Sequence, residues 1–322
     1  MPGLHLRSFG RLLSLLLLGG ACNAGPEGST PPGSGTAADS PTADSPTADS
    51  PTADGPTADS PGDPDSSGPD TPPPPLPTPT AECPEFVDGM VTFTVDGVSR
   101  QARVWIDPTA SAAMDGPVVL YWYGTGGQPT QAQNALGDGL STITARGGLV
   151  VAPVHTGGGP FPWLEDSEAD HRLTDEVVAC ADQALGIDAH RIHSLGFSAG
   201  GLFTTSLSFA RSSYVASVAT YSGGGTGTLQ DPSSAPAAMI LHGGPSDEVS
   251  GFNFLDASVE YQQALSAAGG STLLCDHGSG HTIPGGVGPA VVQFWLDHPF
   301  GQTTSPYTAG LPSVLPAYCT IP

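Results

Sequence analysis

Beyond residue 83, apolar residues fall in short runs that alternate with amphipathic stretches. Short apolar runs bounded by turn residues predict buried strands, whereas apolar residues spaced three and four apart predict helices. Eight strands are predicted, over residues 90–95, 100–106, 118–123, 149–152, 191–195, 215–220, 238–242 and 272–275. Helices are predicted over residues 131–145, 174–185, 202–211, 252–268 and 289–297.

The order of these elements sets the fold class. The first two strands flank Asp96-Gly97, a hairpin signal, and helices join the later strands, which makes those strands parallel. Their continuous apolar runs predict a sheet that helices cover on both faces. We therefore predict an α/β fold with an eight-stranded, mostly parallel sheet, whose ligand site lies at the carboxyl ends of the strands.

The first 22 residues have the pattern of an export signal. Arg7 and Arg11 precede an apolar run over 12–18, which is too short to span a bilayer but fits a secretory signal peptide. The small residues before Cys22 resemble a bacterial lipobox, at which Cys22 becomes lipidated; ordinary cleavage near Ala24 is the alternative. We expect an exported protein that lipidated Cys22 anchors to the membrane at the cell envelope or surface.

Residues 23–82 contain few large apolar side chains. A repeat of Asp-Ser-Pro-Thr-Ala runs from about residue 39 to 61, and four consecutive prolines follow at 72–75. Such a segment cannot bury enough apolar area to fold, so it predicts a disordered, extended linker. Residues 83–322 remain as one folded domain of ordinary size.

The charge of the chain limits its partners. Its formal net charge is -23, and all eight of its basic residues apart from histidine are arginines. So acidic a surface repels phosphate backbones, which argues against nucleic-acid binding and against anionic substrates. No cysteine spacing resembles a zinc site, and we expect neither a metal nor a cofactor.

Four cysteines remain once Cys22 is assigned to a lipid, and an exported protein is expected to pair them as two disulfides. The sequence allows three pairings. The pairing that we favour joins Cys83 to Cys319, across the two ends of the domain, and Cys180 to Cys275.

The motif Gly-Phe-Ser-Ala-Gly-Gly at 196–201 lies between the fifth predicted strand and a helix. A sharp turn from strand to helix needs glycines on either side of the serine, because side chains there would collide with the neighbouring strand and helix. Such a turn exposes the hydroxyl of Ser198, and the amides of the following helix favour negative charge beside it. We therefore predict that Ser198 is a nucleophile.

A serine nucleophile needs a base, and the base needs an acid to orient it. The loop after the eighth strand contains His277 and His281, and we choose His281 because glycines leave it free to reach the sheet edge. The loop after the seventh strand contains Asp247 and Glu248, and we choose Asp247 because Glu248 is expected to face solvent. The predicted triad is Ser198, Asp247 and His281.

These motifs resemble the exported α/β-hydrolase esterases grouped with polyhydroxybutyrate depolymerases, feruloyl esterases and acetylxylan esterases. The resemblance covers about residues 91–297 and depends on the serine motif, on His242-Gly243 leading to an aspartate, and on the loop of His281. Two departures are Tyr123 in place of the family's histidine before Gly124, and an interval from His242 to Asp247 that is one residue longer than the commonest form. The resemblance implies an α/β-hydrolase fold and ester hydrolysis.

We predict that the backbone amides of Thr125 and Ala199 form the oxyanion hole, since an amide donates whatever its side chain. The predicted activity is hydrolysis of neutral carboxylic esters through an acyl-enzyme on Ser198, the esters being acyl or feruloyl groups on a polysaccharide, or an aliphatic polyester. The alternatives are a serine peptidase of the same fold and a non-catalytic surface-binding lipoprotein. In the loop after the fourth strand, Phe161 and Trp163 either stack on substrate or anchor the loop.

Overall fold

The computed structural model describes residues 71–157, 161–302 and 304–322. The predicted signal peptide, the lipidation at Cys22 and the predicted linker up to residue 70 lie outside the described residues. Within the described ranges, no helix has both the length and the apolar character needed to cross a bilayer.

The described chain alternates strands with helices. The strands are β1 (Gly89–Val95), β2 (Val98–Ile106), β3 (Val118–Trp122), β4 (Leu149–Pro153), β5 (Ile192–Phe197), β6 (Ser217–Tyr221), β7 (Ala237–His242), β8 (Glu248–Val249), β9 (Phe252–Asn253), β10 (Thr272–Asp276) and β11 (Cys319–Thr320). The helices are α1 (Pro108–Ser111), α2 (Gln131–Leu136), α3 (Asp138–Ala145), α4 (Ser167–Leu185), α5 (Ala199–Ala210), α6 (Phe254–Ala267) and α7 (Gly288–Asp297).

The main sheet has the strand order β1-β2-β4-β3-β5-β6-β7-β10-β11. All pairs from β4 to β10 in this order are parallel, whereas β1, β2 and β11 join their neighbours antiparallel. Every residue of β3, β4, β6 and β7 is buried. Because successive side chains point to opposite faces, both faces of the sheet are covered there. The predicted α/β class with a mostly parallel sheet is confirmed.

The sheet has one strand more than the eight predicted. The ninth strand, β11, is only two residues long and pairs with β10 through Leu274 with Thr320 and Cys275 with Cys319. So short a strand within a proline-rich tail has no periodicity that the sequence could reveal. The small strands β8 and β9 form a separate hairpin after β7.

The favoured disulfide pairing is wrong. The structure joins Cys83 to Cys180, with Cα atoms 5.3 Å apart, and Cys275 to Cys319, with Cα atoms 3.9 Å apart. Each end of the domain is thus fastened to its nearest element, α4 at the start and β10 at the end, rather than to the other end. Two disulfides are consistent with an extracytoplasmic location.

Residues 71–82, which composition assigns to the linker, lie against the domain. The amide and hydroxyl of Thr80 donate to Glu176 Oε2 at 2.9 and 2.6 Å, and the amide of Ala81 donates to Oε1 at 3.2 Å. Further back, the ring of His190 donates from Nε2 to the carbonyl of Thr71 at 3.0 Å. We call residues 71–82 the arm; its contacts show that packing begins before Cys83.

Candidate active site

The turn after β5 has the geometry that its glycines imply. Ser198 adopts φ +56°, in the left-handed region that residues with a side chain rarely enter. A Cβ atom at Gly196 would overlap the carbonyl of Gly200, and a Cβ atom at Gly200 would overlap the carbonyl of Trp122. Glycine is therefore required on both sides of Ser198 for α5 to follow β5 so closely.

The structure brings the three predicted triad residues together. The hydroxyl of Ser198 lies 2.9 Å from His281 Nε2, and His281 Nδ1 lies 2.7 Å from Asp247 Oδ1. With the proton on Nδ1, the ring donates to Asp247 and accepts from Ser198. A base that accepts the serine proton requires this tautomer.

Asp247 is fully buried and hydrogen-bonded through both carboxylate oxygens. Its Oδ2 accepts from the Ser222 hydroxyl and from the Gly243 amide, each at 2.8 Å, while Oδ1 faces His281. Burial raises the pKa of Asp247, but the hydrogen bonds from His281, Gly243 and Ser222 outweigh it and hold the pKa below its ordinary value. The carboxylate therefore stays ionised at neutral pH.

The two alternative residues lie elsewhere. Glu248 is exposed at the start of the β8–β9 hairpin. His277 accepts from the amide of Ser279 at 3.3 Å through Nδ1, and its ring lies 6.4 Å from that of Tyr318. Asp247 and His281 are thus the acid and the imidazole that stand in line with Ser198.

Two phenyl rings hold the imidazole of His281. Its centroid lies 4.9 Å from that of Phe197 and 4.5 Å from that of Phe254, each ring tilted by 33°. The loop itself is glycine-rich, and Gly280 donates to the carbonyl of Gly243 at 3.0 Å, which ties it to the loop of Asp247. The imidazole is therefore positioned by its surroundings despite the glycines beside it.

The loop after β3 passes close to the nucleophile. A Cβ atom at Gly124 would lie 3.1 Å from that of Ser198, so only a glycine lets the backbone approach without displacing a neighbour. The loop is braced by Gln131, whose Oε1 accepts from Tyr121 OH at 2.9 Å and from the Gly124 amide at 3.4 Å. Sequence reasoning missed Gln131; its only signal is a polar side chain at the start of α2, just beyond the glycine-rich loop.

Both amides predicted for the oxyanion hole follow residues at this site. Thr125 directly follows Gly124 and is exposed. Ala199 directly follows Ser198 and is the first residue of α5, where amides have no acceptor within the helix. Their roles remain predictions.

The aromatic loop after β4 has an anchor. Trp163 is fully buried, donates from Nε1 to the carbonyl of Tyr123 at 2.8 Å, and meets the ring of Trp122 edge-on at 5.0 Å. Of the two interpretations of this loop, anchoring therefore holds for Trp163. Phe161 is half-buried.

Further buried histidines have pKa values below the ordinary value. Burial lowers the pKa of His193 to about 3, and its ring stacks on Trp295 at 5.3 Å. Burial likewise lowers the pKa of His171 and of His298. Among the residues that the structure describes, no group of three or more histidine, cysteine or acidic side chains could hold a metal ion.

The sequence matches no protein-family model and no curated protein. Solved structures do resemble the chain. The native crystal structure of pOPH is 19% identical with a TM-score of 0.56, over 74% of this chain and 96% of that one. The native structure of sOPH is 18% identical with a TM-score of 0.57, over 76% and 96%. A complex of a pOPH variant and pNPB is 18% identical with a TM-score of 0.57, over 74% of this chain and 95% of that one. At this identity the likeness concerns the fold alone: the described domain has the α/β-hydrolase fold.

Proposed function

We propose that this protein is an exported serine esterase that hydrolyses neutral carboxylic esters through an acyl-enzyme on Ser198. The observation that carries the proposal is the unbroken hydrogen-bonded series from the Ser198 hydroxyl through His281 to buried Asp247. Nucleophilic attack on a carbonyl needs an exposed hydroxyl, an imidazole that accepts its proton and an ionised carboxylate that orients the imidazole.

In the proposed reaction, Ser198 Oγ attacks the ester carbon while His281 Nε2 takes its proton. Asp247 holds the Nδ1 proton and stabilises the imidazolium that forms. The amides of Thr125 and Ala199 donate to the oxyanion. His281 then gives its proton to the leaving alcohol, and water activated by the same imidazole releases the acid and restores Ser198.

The surface charge supports neutral substrates. Glu165 and Asp166 are exposed just before α4, which follows the carboxyl end of β4 and so begins on the same edge as Ser198. These carboxylates repel anions approaching that edge. The substrate classes we propose are acyl or feruloyl esters of polysaccharides and aliphatic polyesters. Attachment to the cell envelope through lipidated Cys22 belongs to the same proposal.

The test compares Ser198→Ala with the wild type on a short-chain nitrophenyl ester. Removal of the nucleophile should lower kcat by about 10⁴-fold or more with an unchanged circular dichroism spectrum, and should abolish labelling by a fluorophosphonate probe. Ser250→Ala, an exposed serine in the β8–β9 hairpin, is the matched control and should retain the wild-type rate. An equal rate in Ser198→Ala, or cleavage of peptides but no esters by the wild type, would overturn the proposal.

A further inference from the structure

The residue that follows β6 has an unusual backbone. Ser222 adopts φ +49° although it is not a glycine, and it is fully buried. Residues with a Cβ atom occupy this region only when the surrounding structure holds them there, and such residues cluster at functional sites. A glycine at position 222 would adopt this conformation at lower cost, and three glycines follow directly in the chain. The presence of a serine here therefore calls for an explanation.

The contacts of Ser222 point to Asp247. Its amide donates to the carbonyl of Leu241 at 2.8 Å, which fixes its backbone against β7. Its hydroxyl donates to Asp247 Oδ2 at 2.8 Å, and the Gly243 amide donates to the same oxygen. Donors from the end of β6 and from the end of β7 therefore converge on one carboxylate oxygen and leave Oδ1 for His281.

We propose that Ser222 is a positioning residue for the reaction: its hydroxyl locks the rotamer of Asp247 in which Oδ1 faces His281 Nδ1. This inference rests on the proposed function. Asp247 follows a short loop of one helical turn, and a lone carboxylate there could rotate about its terminal bond. Two donors on Oδ2 make one orientation of the carboxylate much more stable than the others. The strained backbone of Ser222 is what directs the hydroxyl at that oxygen.

Two variants separate the hydroxyl from the backbone strain. Ser222→Ala removes the hydroxyl and keeps the Cβ atom at positive φ, whereas Ser222→Gly removes the hydroxyl and relieves the strain. Ser250→Ala is the matched control, because Ser250 also has positive φ, at +50°, and is exposed in the hairpin. If the hydroxyl positions Asp247, kcat should fall about 5- to 30-fold in both variants of Ser222, with KM within about twofold of wild type.

The pH profile supplies a readout that packing alone does not move. Without its serine donor, Asp247 carries more of its negative charge on the oxygen that faces His281 and stabilises the imidazolium more strongly, so the acid limb of kcat/KM should shift to higher pH. The titratable groups that face Asp247 are His281, His242 and His277, and all three are unchanged in these variants.

The outcomes are distinguishable. If both variants of Ser222 keep the wild-type kcat and acid limb, and only their melting temperatures differ, Ser222 is a structural residue and the positioning role is overturned. A loss of kcat in Ser222→Ala that Ser222→Gly restores would show that backbone strain, not the hydroxyl, controls activity, and would overturn it as well. A wild type that neither hydrolyses esters nor takes up the fluorophosphonate probe overturns the proposed function together with this inference.

Discussion

Replacing Glu176 by alanine tests where the folded domain begins. The change removes the acceptor of three hydrogen bonds that fasten Thr80 and Ala81 to α4. A hydrogen bond to a charged group is worth about 1.5–3 kcal/mol. The net loss is smaller than the sum of three such bonds, because water replaces the acceptor at the exposed side of Thr80 and the disulfide of Cys83 still holds the chain near α4. We expect a loss of about 2–3 kcal/mol in the free energy of unfolding. At about 2–4 °C per kcal/mol, the melting temperature should fall by about 4–12 °C.

The assay is thermal unfolding of the full chain followed by circular dichroism, with the disulfides intact. Asp182→Ala is the control, because Asp182 is an exposed acidic residue of the same helix. A chain that begins at residue 83 lacks the arm, including Leu76 packed on the core, and should lose at least as much stability as Glu176→Ala, whereas a chain that begins at residue 71 should not. The reasoning is refuted if Glu176→Ala melts within 1 °C of Asp182→Ala.

Two further changes test the core and the nucleophile turn. Because burial lowers the pKa of His193 from its ordinary 6.5 to about 3, the unfolded chain binds a proton there first as pH falls. Its contribution to stability is complete above about pH 6.5 and should be lost at about 1.4 kcal/mol per pH unit down to about pH 3. Urea unfolding from pH 7 to 4 should show this slope reduced in His193→Asn, and an equal slope in the variant would contradict the assignment. Gly200→Ala forces a Cβ atom into the Trp122 carbonyl and should cost about 3 kcal/mol or more, measured as a lower urea midpoint, while Gly285→Ala, with nothing within 4 Å, should not.

Local signals in the sequence predicted most of the sheet. The parallel strands are short, largely apolar and separated by helices, so each can be recognised without knowledge of its neighbours. Ser198 has a local motif of its own. The patterns around Asp247 and His281 are less specific, and the selection of these residues depended on the chain order that the fold imposes on the loops after the last strands.

What the sequence did not reveal depends on neighbours in space. Helix α4 begins at Ser167, before the predicted start at residue 174, because Asp166 caps it and Asp170 is buried against Arg100 at 2.5 Å. A buried ion pair adds no apolar residue to the spacing from which a helix is predicted. The arm is likewise held by polar contacts and a disulfide, which composition cannot detect. The disulfide partners and the role of Ser222 follow from which strands and helices lie side by side.

The contact between His190 and Thr71 fixes the start of the arm on the domain. His190 lies just ahead of β5 and Ser198 just after it, so the two mark opposite ends of one strand. A six-residue strand is about 20 Å long. Thr71 therefore lies at the edge of the sheet that is remote from the nucleophile. The first described residue of the arm and the nucleophile thus occupy opposite edges of the sheet, and the contact that fixes Thr71 leaves the edge of Ser198 unobstructed.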